Sequence, residues 1–360
     1  FEGCTKLVNI EGVLDMISCR SYKDMFKGCD SLVGLKVANP PADFEAKTGI
    51  RPNQYTVVTK VPFAKDFRLS IMINNSYKDF SGYFAKKDPD GTMTTISEKI
   101  LKDLKGKKAS NVSSMFETCN LTSIPIIELD TSKVENFSKM FNWSTSIATI
   151  DTTWIDTSSA KNMNGMFANC SELTALDLSN FNTINVTDMT SMFSACTVLA
   201  ELKVPNFNTE KVTSMYGMFA NSKALTSLDL SSFNTPEVTT MKGMFSGCSA
   251  LTSLNISNFN TAKVTDMYGM FFNCEALPSL DLSHFDTENV TDMYSMFAYC
   301  KALKSLKVSS FDTKNVKNMS FMFFYCSSLP SLDLSSFNTE NVTDMGAMFK
   351  YCIEMEKIDV

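Results

Sequence analysis

Residues 277–300 read LPSLDLSHFDTENVTDMYSMFAYC, and this stretch decides the fold because the chain keeps returning to it. Its Met-Phe pair ends at Phe297, and we take that phenylalanine as the anchor of the pattern. Successive anchors lie 26 residues apart, at Phe167, Phe193, Phe219, Phe245, Phe271, Phe297, Phe323 and Phe349. Self-similarity at a fixed period of roughly 20–50 residues is the signature of a solenoid, in which each repeat forms one turn.

The array extends towards the N-terminus beyond these eight anchors. Phe141 lies 26 residues before Phe167, Phe116 lies 25 before Phe141, and Phe26 and Phe1 are again 25 apart. The pattern is already running at the first residue and still running at the last. We therefore expect the chain to be a piece of a longer protein, with any polar capping repeats elsewhere.

Each repeat predicts a short strand followed by a turn. In 277–300 the leucines fall in the frame Leu-x-x-Leu-x-Leu-x-x-Phe, and the alternation around Asp281 is typical of a strand. The apolar residues that follow are spaced 3, 3, 1 and 3, which indicates one face of a short helix or helical turn: Val290, Met293, Met296, Phe297 and Cys300. Stacked copies would form a parallel sheet with strands ~4.8 Å apart. The predicted fold is an α/β repeat, a leucine-rich-repeat-type solenoid of 26-residue units.

One long interruption breaks the array near its start. Phe26 and Phe116 are 90 residues apart, which leaves room for an insertion. We divide the chain into divergent repeats at 1–37, an inserted α+β segment or subdomain at 38–108, and regular repeats at 109–360.

The insertion has its own predicted elements. Residues 55–63 and 67–73 are predicted strands, and 96–104 is a predicted amphipathic helix. Part of the insertion is either a degenerate repeat or a separate domain, because the repeat spacing persists at Tyr77, Phe80, Tyr83 and Phe84. Its role is either to bind a partner or to cap the N-terminal side of the array.

The consensus L-x-x-L-D-L-S-x-F-[ND]-T-x-x-V-T-x-M-x-x-M-F-x-x-C resembles the 26-residue-repeat branch of the BspA-like leucine-rich-repeat family of bacterial surface proteins. The resemblance covers residues 110–360 and, more weakly, 1–37. It implies an exported or wall-associated bacterial protein of a kind invoked in adhesion, and some parasitic protists carry similar proteins. The family supplies no catalytic residues to transfer to this chain.

Composition narrows the classes of function. Of 360 residues 44% are hydrophobic, and the net charge is −6 without a long basic run, which argues against nucleic acid as a partner. No apolar stretch reaches the ~18 residues of a membrane span, so we expect no membrane insertion within this chain. His284 is the only histidine, which leaves little for a catalytic triad or a zinc site. There is no glycine-rich phosphate loop either, and we expect no enzyme.

The regularly spaced methionines and cysteines allow two interpretations, a ladder of soft metal ligands or a packed core. Ser144 and Ser222 occupy cysteine positions and Phe137 occupies a methionine position, and none of these side chains is a soft ligand. We therefore predict a methionine and phenylalanine core, and buried free thiols in preference to disulfides or a metal. No metal and no cofactor are predicted.

The other columns of the repeat are interpreted as structural. The outward strand position is mainly acidic and is interrupted by Lys203 and Lys307, which predicts a solvated face rather than a calcium site. The Asn/Asp-Thr column should bond the turn backbone. His284 stands where other repeats have Asn or Ser, so it should be an exposed substitution. Glycan-acceptor patterns coincide with the repeat consensus and are interpreted as scaffold, as at Asn185, Asn289 and Asn341.

Aromatic residues in the C-terminal repeats are the candidates for binding. They stand where most other repeats have small or polar residues, and they should face away from the Met-Phe core. The predicted partner-binding residues are Tyr268, Phe272, Tyr294, Tyr299, Phe321, Phe324, Tyr325 and Tyr351. The alternative is an aromatic column that only shields the outer side of the solenoid.

The leading functional hypothesis is a surface-exposed binding module that adheres to a protein or glycan of a host or neighbouring cell. Its expected location is extracellular or at the cell surface, with anchoring through segments outside this chain. The alternative is a structural spacer or self-associating surface element without small-molecule chemistry. An enzyme ranks third.

Overall fold

The structure is a computed structural model that describes residues 13–15, 23–33, 35–38, 40, 42–57, 78–84, 101 and 104–360. The chain divides into two compact units. The first is built from Phe1–Ser76 and Ile96–Asp103, and the second from Tyr77–Thr95 and Leu104–Val360. The segment 38–108 therefore contributes residues to both units.

The first unit contains a three-stranded parallel sheet of β1 (Val13–Asp15), β2 (Leu35–Ala38) and β3 (Tyr55–Val57), in that order. Helix α1 (Phe44–Thr48) lies between β2 and β3 in the sequence. Strand β3 falls at the start of the predicted strand 55–63. The predicted strand 67–73 lies outside the described residues, as does nearly all of the predicted helix near residue 100.

Phe26 anchors this first unit, as the repeat arithmetic predicts. Its side chain is buried, and its N–H donates to the Thr48 carbonyl at 2.7 Å. The ring meets that of Phe44 edge-on, with centroids 6.5 Å apart. Asp24 and Gly28, two residues to either side, have φ values of 56° and 77°. The same pair of positive φ angles flanks the anchors of the regular turns, so this segment shares their backbone.

In the second unit each regular turn contributes one short strand, and paired strands are parallel. Partners lie one repeat apart, so that Leu280 stands opposite Leu306. The predicted parallel solenoid is confirmed. Its strands are β4 (Ser123–Ile124), β5 (Thr149–Ile150), β6 (Ala175–Asp177), β7 (Glu201–Lys203), β8 (Ser227–Asp229), β9 (Ser253–Asn255), β10 (Ser279–Asp281), β11 (Ser305–Lys307), β12 (Ser331–Asp333) and β13 (Lys357–Asp359).

The Met-Phe half of each turn is a series of tight turns rather than a helix. Ser295 and Tyr299, which flank the anchor Phe297, have φ values of 51° and 62°, and a right-handed helix cannot continue through such residues. Backbone N–H groups then alternate between two kinds of partner. Ala298 donates to the Ser295 carbonyl within the turn at 3.1 Å, and Phe297 donates to the Met322 carbonyl of the next turn at 2.9 Å. No helix in the described part of the chain is long and apolar enough to cross a membrane.

The two sides of the solenoid are hydrogen-bonded differently. On the Met-Phe side, bonds like that from Phe297 to Met322 join each turn to the next from Phe84 to Met348. On the strand side the strands pair only in twos, β4 with β5, β6 with β7, and so on to β12 with β13. The sequence carries the same rhythm, since the buried residue after each strand alternates between Leu and a β-branched residue: Leu178, Val204, Leu230, Ile256, Leu282, Val308 and Leu334. Strand pairing thus has a period of two repeats.

The core is a stack of anchor phenylalanines with methionines beside it. From Phe84 to Phe349 neighbouring anchor rings are nearly parallel, with centroids 4.8–5.8 Å apart. Met293 and Met296 are fully buried, as are their counterparts in the preceding turns. The packed-core interpretation of the methionines is therefore confirmed.

Residues 78–84 extend this array into the insertion. Asp79 forms a parallel bridge with Asn111, and the Phe84 N–H donates to the Met115 carbonyl at 2.7 Å. The Phe84 ring begins the stack described above. Of the two interpretations of this segment, a degenerate repeat is the one that its described residues bear out.

The cysteine column is a line of buried thiols bonded to backbone carbonyls of the preceding turn. The Cys300 thiol donates to the Phe271 carbonyl at 3.2 Å, and six other cysteines make the same contact. Ser222 donates to the Phe193 carbonyl at 2.7 Å, and Ser144 makes the equivalent bond. Serine replaces cysteine here because it is small and supplies the same donor. The buried-thiol interpretation is confirmed for eight of the nine cysteines that the structure describes, all of them free, and Cys352 is half-buried.

These thiols should make stability fall at alkaline pH. Burial raises the pKa of the Cys196, Cys248 and Cys300 thiols to about 12 from an ordinary value of 9.0. Between these values the folded chain binds more protons than the unfolded chain, so the free energy of unfolding decreases as pH rises through this window. Replacing the three by serine should remove roughly 1.4 kcal/mol per pH unit per thiol from that slope. Denaturant melts from pH 8 to 11 measure it, and equal slopes for both proteins would exclude the thiols as the cause.

Threonines of the Asn/Asp-Thr pairs form a second buried column. The Thr235 hydroxyl donates to the Asn260 carbonyl at 2.8 Å and accepts the Asn260 N–H at 2.9 Å. Asn260 in turn closes its own loop, because its Oδ1 accepts the Ala262 N–H at 3.1 Å, as the turn chemistry predicts. The threonine bonds to the next turn were not foreseen from the sequence. The buried threonines of this column are Thr131, Thr157, Thr183, Thr209, Thr235, Thr261, Thr287 and Thr313.

The outward face of the strands is solvated and internally paired. Lys203 lies 3.3 Å from Asp177, and Lys307 lies 2.7 Å from Asp281. The hydrogen bond from Lys307, together with those from Ser283, holds the pKa of Asp281 below its usual range. Among the described residues there is no group of three or more His, Cys, Asp or Glu side chains that could hold a metal ion. Lys203 and Lys307 therefore each form a cross-strand ion pair with the aspartate of the preceding turn.

Several exposed polar residues serve the scaffold. His284 is exposed, and its Nε2 donates to the Ile256 carbonyl at 3.0 Å, so it supplies the cross-turn donor that Asn258 supplies one turn earlier. The side-chain amides of Asn289 and Asn341 likewise donate to carbonyls of the preceding turn, at 2.8 and 2.9 Å. These bonds agree with the interpretation of those asparagines as scaffold.

Candidate functional site

The eight aromatic residues predicted to bind a partner form one continuous surface across four consecutive turns. We call it the aromatic surface, and its members are Tyr268, Phe272, Tyr294, Tyr299, Phe321, Phe324, Tyr325 and Tyr351. Each ring contacts at least one other, with centroids 4.7–5.7 Å apart. The structure therefore brings together every residue of the predicted set. That they bind a partner stays a prediction.

One row of the aromatic surface runs along the N-terminal side of the anchors. Tyr268 and Tyr294 are stacked, with centroids 4.7 Å apart and planes 15° apart. Phe321 continues the row at 5.7 Å from Tyr294. Phe321 also meets Phe324 edge-on at 5.3 Å, and this contact joins the first row to the second.

The second row runs along the C-terminal side of the anchors. Tyr299 stacks on Tyr325 at 5.5 Å, and Tyr325 lies 4.9 Å from Tyr351. Phe324 contacts all three of these rings, and Phe272 meets Tyr299 edge-on at 5.6 Å. The two rows together span four turns without a break.

Four of the aromatic residues adopt the left-handed backbone conformation. Tyr299, Phe321, Tyr325 and Tyr351 have φ values of 62°, 58°, 61° and 64°. This region favours glycine, and a larger residue there costs about 1–2 kcal/mol. The turn geometry imposes the angle on every repeat. Most earlier turns meet it with small or polar residues, such as Gly269 in the position of Phe321, although Trp143 adopts it too. The backbone therefore does not favour an aromatic residue at these four positions.

Lysines lie against the rings at both ends of the surface. The Lys242 ammonium is 4.2 Å from the Tyr268 centroid, and that of Lys350 is 5.1 Å from the Tyr351 centroid. Attraction of a cation to a ring face contributes about 0.5–1 kcal/mol at an exposed site. Two positive charges therefore lie against rings of the aromatic surface.

The aromatic surface is only partly shielded. Tyr268 is 36% exposed, Tyr325 37% and Tyr351 48%, and the other five rings are half-buried against their neighbours. Rings that are packed on one side and exposed to solvent on the other resemble the aromatic anchors of protein interfaces. The anchor Phe297, in contrast, is fully buried.

Sequence comparison identifies the repeat family. The model of one family matches residues 110–227, 198–305 and 279–359, which together cover most of the regular array. The chain belongs to this family, described as Mycoplasma protein of unknown function, DUF285. None of the curated proteins is similar to this chain in sequence.

Solved structures give two further likenesses to the DUF285 array. A leucine-rich repeat protein from Bacteroides ovatus ATCC 8483 is 14% identical, with a TM-score of 0.34 and coverage of 98% of this chain and 92% of that one. The TLR13–ssRNA13 complex contains a chain that is 14% identical, with a TM-score of 0.27 and coverage of 97% and 59%.

Two exposed aromatic residues of the DUF285 repeats were not predicted from the sequence. Trp143 follows its anchor by two residues, as Tyr299 does, and is 56% exposed. Tyr216 precedes its anchor by three residues, as Tyr268 does, and is 45% exposed. The signal was present, because both differ from the small or polar residues at the same positions of neighbouring repeats. Neither belongs to the continuous aromatic surface defined above.

A groove of about 700 Å³ lies on the strand side at the N-terminal end of the DUF285 array, along β4, β5 and β6. Its concave shape makes it a second candidate site. The Asp151 carboxylate in its wall already accepts the Thr153 N–H at 3.0 Å, and the Asp177 carboxylate accepts the Ser179 N–H at 3.0 Å. Because these carboxylates already serve turn closure, the groove is a weaker candidate than the aromatic surface.

Proposed function

We propose that this chain is a protein-binding module and that the aromatic surface is its contact surface. One observation carries the proposal. Eight rings join into a single, partly wet network at positions where the scaffold itself needs only glycine, serine, alanine or asparagine. Clustered, partly exposed aromatic residues are enriched at the energetic centres of protein interfaces.

The setting that we propose is adhesion at a cell surface, with the partner on a host or neighbouring cell. The resemblance of the repeat to BspA-like surface proteins supports this setting. The partner is a protein in the leading form of the proposal. A self-associating spacer is the alternative, and the oligomeric state of an aromatic variant separates the two.

The test replaces three of the aromatic residues by residues that occupy the equivalent positions in other turns. Tyr299→Asn, Phe321→Gly and Tyr325→Asn place at each position a residue that an earlier turn carries at the equivalent position with positive φ, as Asn273 and Gly269 show. The triple variant should melt at the same temperature as the parent or slightly higher, because strained backbone is relieved. It should lose at least tenfold in affinity for peptides that the parent selects from a bead-displayed random dodecapeptide library.

The matched control removes an exposed apolar side chain elsewhere. Ile184 is 49% exposed, and alanine occupies the equivalent position at Ala262. Ile184→Ala should leave peptide binding unchanged. If the triple variant binds the same peptides as the parent with the same affinity, the proposed contact surface is wrong. If it instead turns an oligomer into a monomer in sedimentation velocity, the self-associating alternative holds.

A further inference from the structure

The chemistry of the partner can be inferred from the way the rings stand, and this inference rests on the proposed function. We infer that the aromatic surface takes an acidic, extended segment of polypeptide rather than a glycan. Three features bear on that chemistry: the faces and edges of the rings, the lysines and carboxylates around them, and the length of the surface.

Ring faces are largely occupied within the aromatic surface itself. Tyr268 has the Lys242 ammonium 4.2 Å from its centroid and stacks on Tyr294 at 4.7 Å. Tyr325 has Tyr299 at 5.5 Å and Tyr351 at 4.9 Å. In the stacked pairs Tyr268–Tyr294 and Tyr299–Tyr325 the ring faces cover one another. The other pairs are edge-on or tilted, and in an edge-on pair the edge of one ring covers part of its neighbour's face.

Edges and faces attract different ligands. The face of an aromatic ring is electron-rich and the edge is weakly positive. Sugars pack their C–H groups on open faces, which this surface scarcely offers. Carboxylates and carbonyl oxygens instead suit positive edges, tyrosine O–H donors and nearby ammonium groups. The surface is thus better matched to an acidic peptide than to a sugar.

The lysines supply the charge for such a segment. Lys242 and Lys350 form no ion pair with any residue that the structure describes, and both lie on ring faces at opposite ends of the surface. Lys301 lies farther from its ring, at 5.9 Å from the Tyr299 centroid, and pairs with Glu275 at 3.1 Å. Two ammonium groups are therefore available to a partner.

Carboxylates border the surface on one side. Asp266 and Asp292 precede Tyr268 and Tyr294 by two residues, and each accepts the N–H of its tyrosine, at 2.9 and 2.8 Å. These acidic groups would repel an acidic segment laid over the first row. The segment should therefore lie mainly along the second row, with one end near Lys350 and the other crossing to Lys242 beside Tyr268, at the end of the first row.

The length of the surface sets the length of the segment. The turns that carry Lys242 and Lys350 are four repeats apart, and their anchor rings are spaced 5.4–5.7 Å. Four such steps are about 22 Å, which an extended chain covers in roughly seven residues at ~3.3 Å each. A short linear segment is enough to reach both lysines.

The same dodecapeptide library tests this chemistry separately from the proposed function. Peptides that the parent retains and the triple aromatic variant loses should be enriched in Asp and Glu within a window of about seven residues. Variant-dependent peptides that are neutral or basic would leave the proposed function standing and overturn the acidic segment. If no peptide depends on the surface, both proposals fail. A neutral oligosaccharide array probed in parallel should show no variant-dependent binding, and such binding would favour the glycan.

Lysine replacements provide the second arm. Lys242→Thr and Lys350→Ser install the residues of equivalent positions Thr190 and Ser246. Each should lower the affinity for a selected acidic peptide roughly two- to fivefold at low salt and much less at 0.5 M salt. Lys211→Asn removes the same charge far from the surface and should have no effect. Equal losses for all three variants, or no loss at either ring-bound lysine, would overturn the inference.

Discussion

Thr235→Val is expected to lower the free energy of unfolding by roughly 2–4 kcal/mol. Valine has almost the shape of threonine, so the core is not emptied. What is lost is a hydroxyl that serves two backbone groups of Asn260, its carbonyl at 2.8 Å and its N–H at 2.9 Å. Both groups would remain without these bonds beside a side chain that is fully buried. Chemical denaturation of the parent and the variant measures the difference.

Two controls separate the hydroxyl from the position. Thr235→Ser keeps the hydroxyl and should recover most of the lost stability. Thr239→Val lies in the same repeat, where the threonine is exposed and donates to the Thr213 carbonyl at 3.2 Å. Because water can replace that bond, its loss should cost less than about 1 kcal/mol. A similar cost at Thr235 and Thr239 would mean that the buried bonds do not stabilise the stack.

Phe271→Ala should have the largest effect, a loss of roughly 3–5 kcal/mol. Its ring is fully buried between the rings of Phe245 and Phe297, at 5.5 and 5.7 Å. Removing it leaves a cavity in the middle of a stack that cannot close without moving both neighbours. Because each turn contacts only its neighbours, the array should then unfold in two steps, on either side of the gap. Differential scanning calorimetry would show a split or broadened transition.

The next residue in the chain is the matched control. Phe272 belongs to the aromatic surface and is half-buried, and alanine occupies its position in other turns, as at Ala220 and Ala298. Phe272→Ala should therefore cost less than about 1 kcal/mol and leave a single transition. Equal losses at Phe271 and Phe272 would contradict the division between core and surface that the proposed function needs.

Much of the candidate site was predictable because the repeat acts as an internal alignment. Comparing Phe321 with Gly269, or Tyr299 with Asn273, reveals which aromatic residues the scaffold does not require. Trp143 could have been predicted in the same way. The lysine contacts were not predictable, since Lys242 meets Tyr268 a full repeat away and only the stacking of turns makes them neighbours.

Two details of the fold likewise could not be decided from the sequence alone. Spacing alone left a helix or a turn open for the Met-Phe run, and the structure decides for turns because residues such as Ser295 and Tyr299 adopt positive φ. The pairing of strands in twos was hidden by the 26-residue consensus, although the alternation of Leu178 and Val204 carries its trace.

The sequence by itself determined that the chain is a solenoid, what its period is and which residues form its core. A buried column needs one type of side chain at each turn, so repetition of Met, Phe and Cys identifies the core, and Ser222 identifies what the thiol does there. Only the tertiary structure decided how Thr235 ties two turns together and which ring faces of the aromatic surface are covered. Such contacts join residues about one repeat apart, and their geometry depends on the stacking of whole turns, which no local pattern specifies.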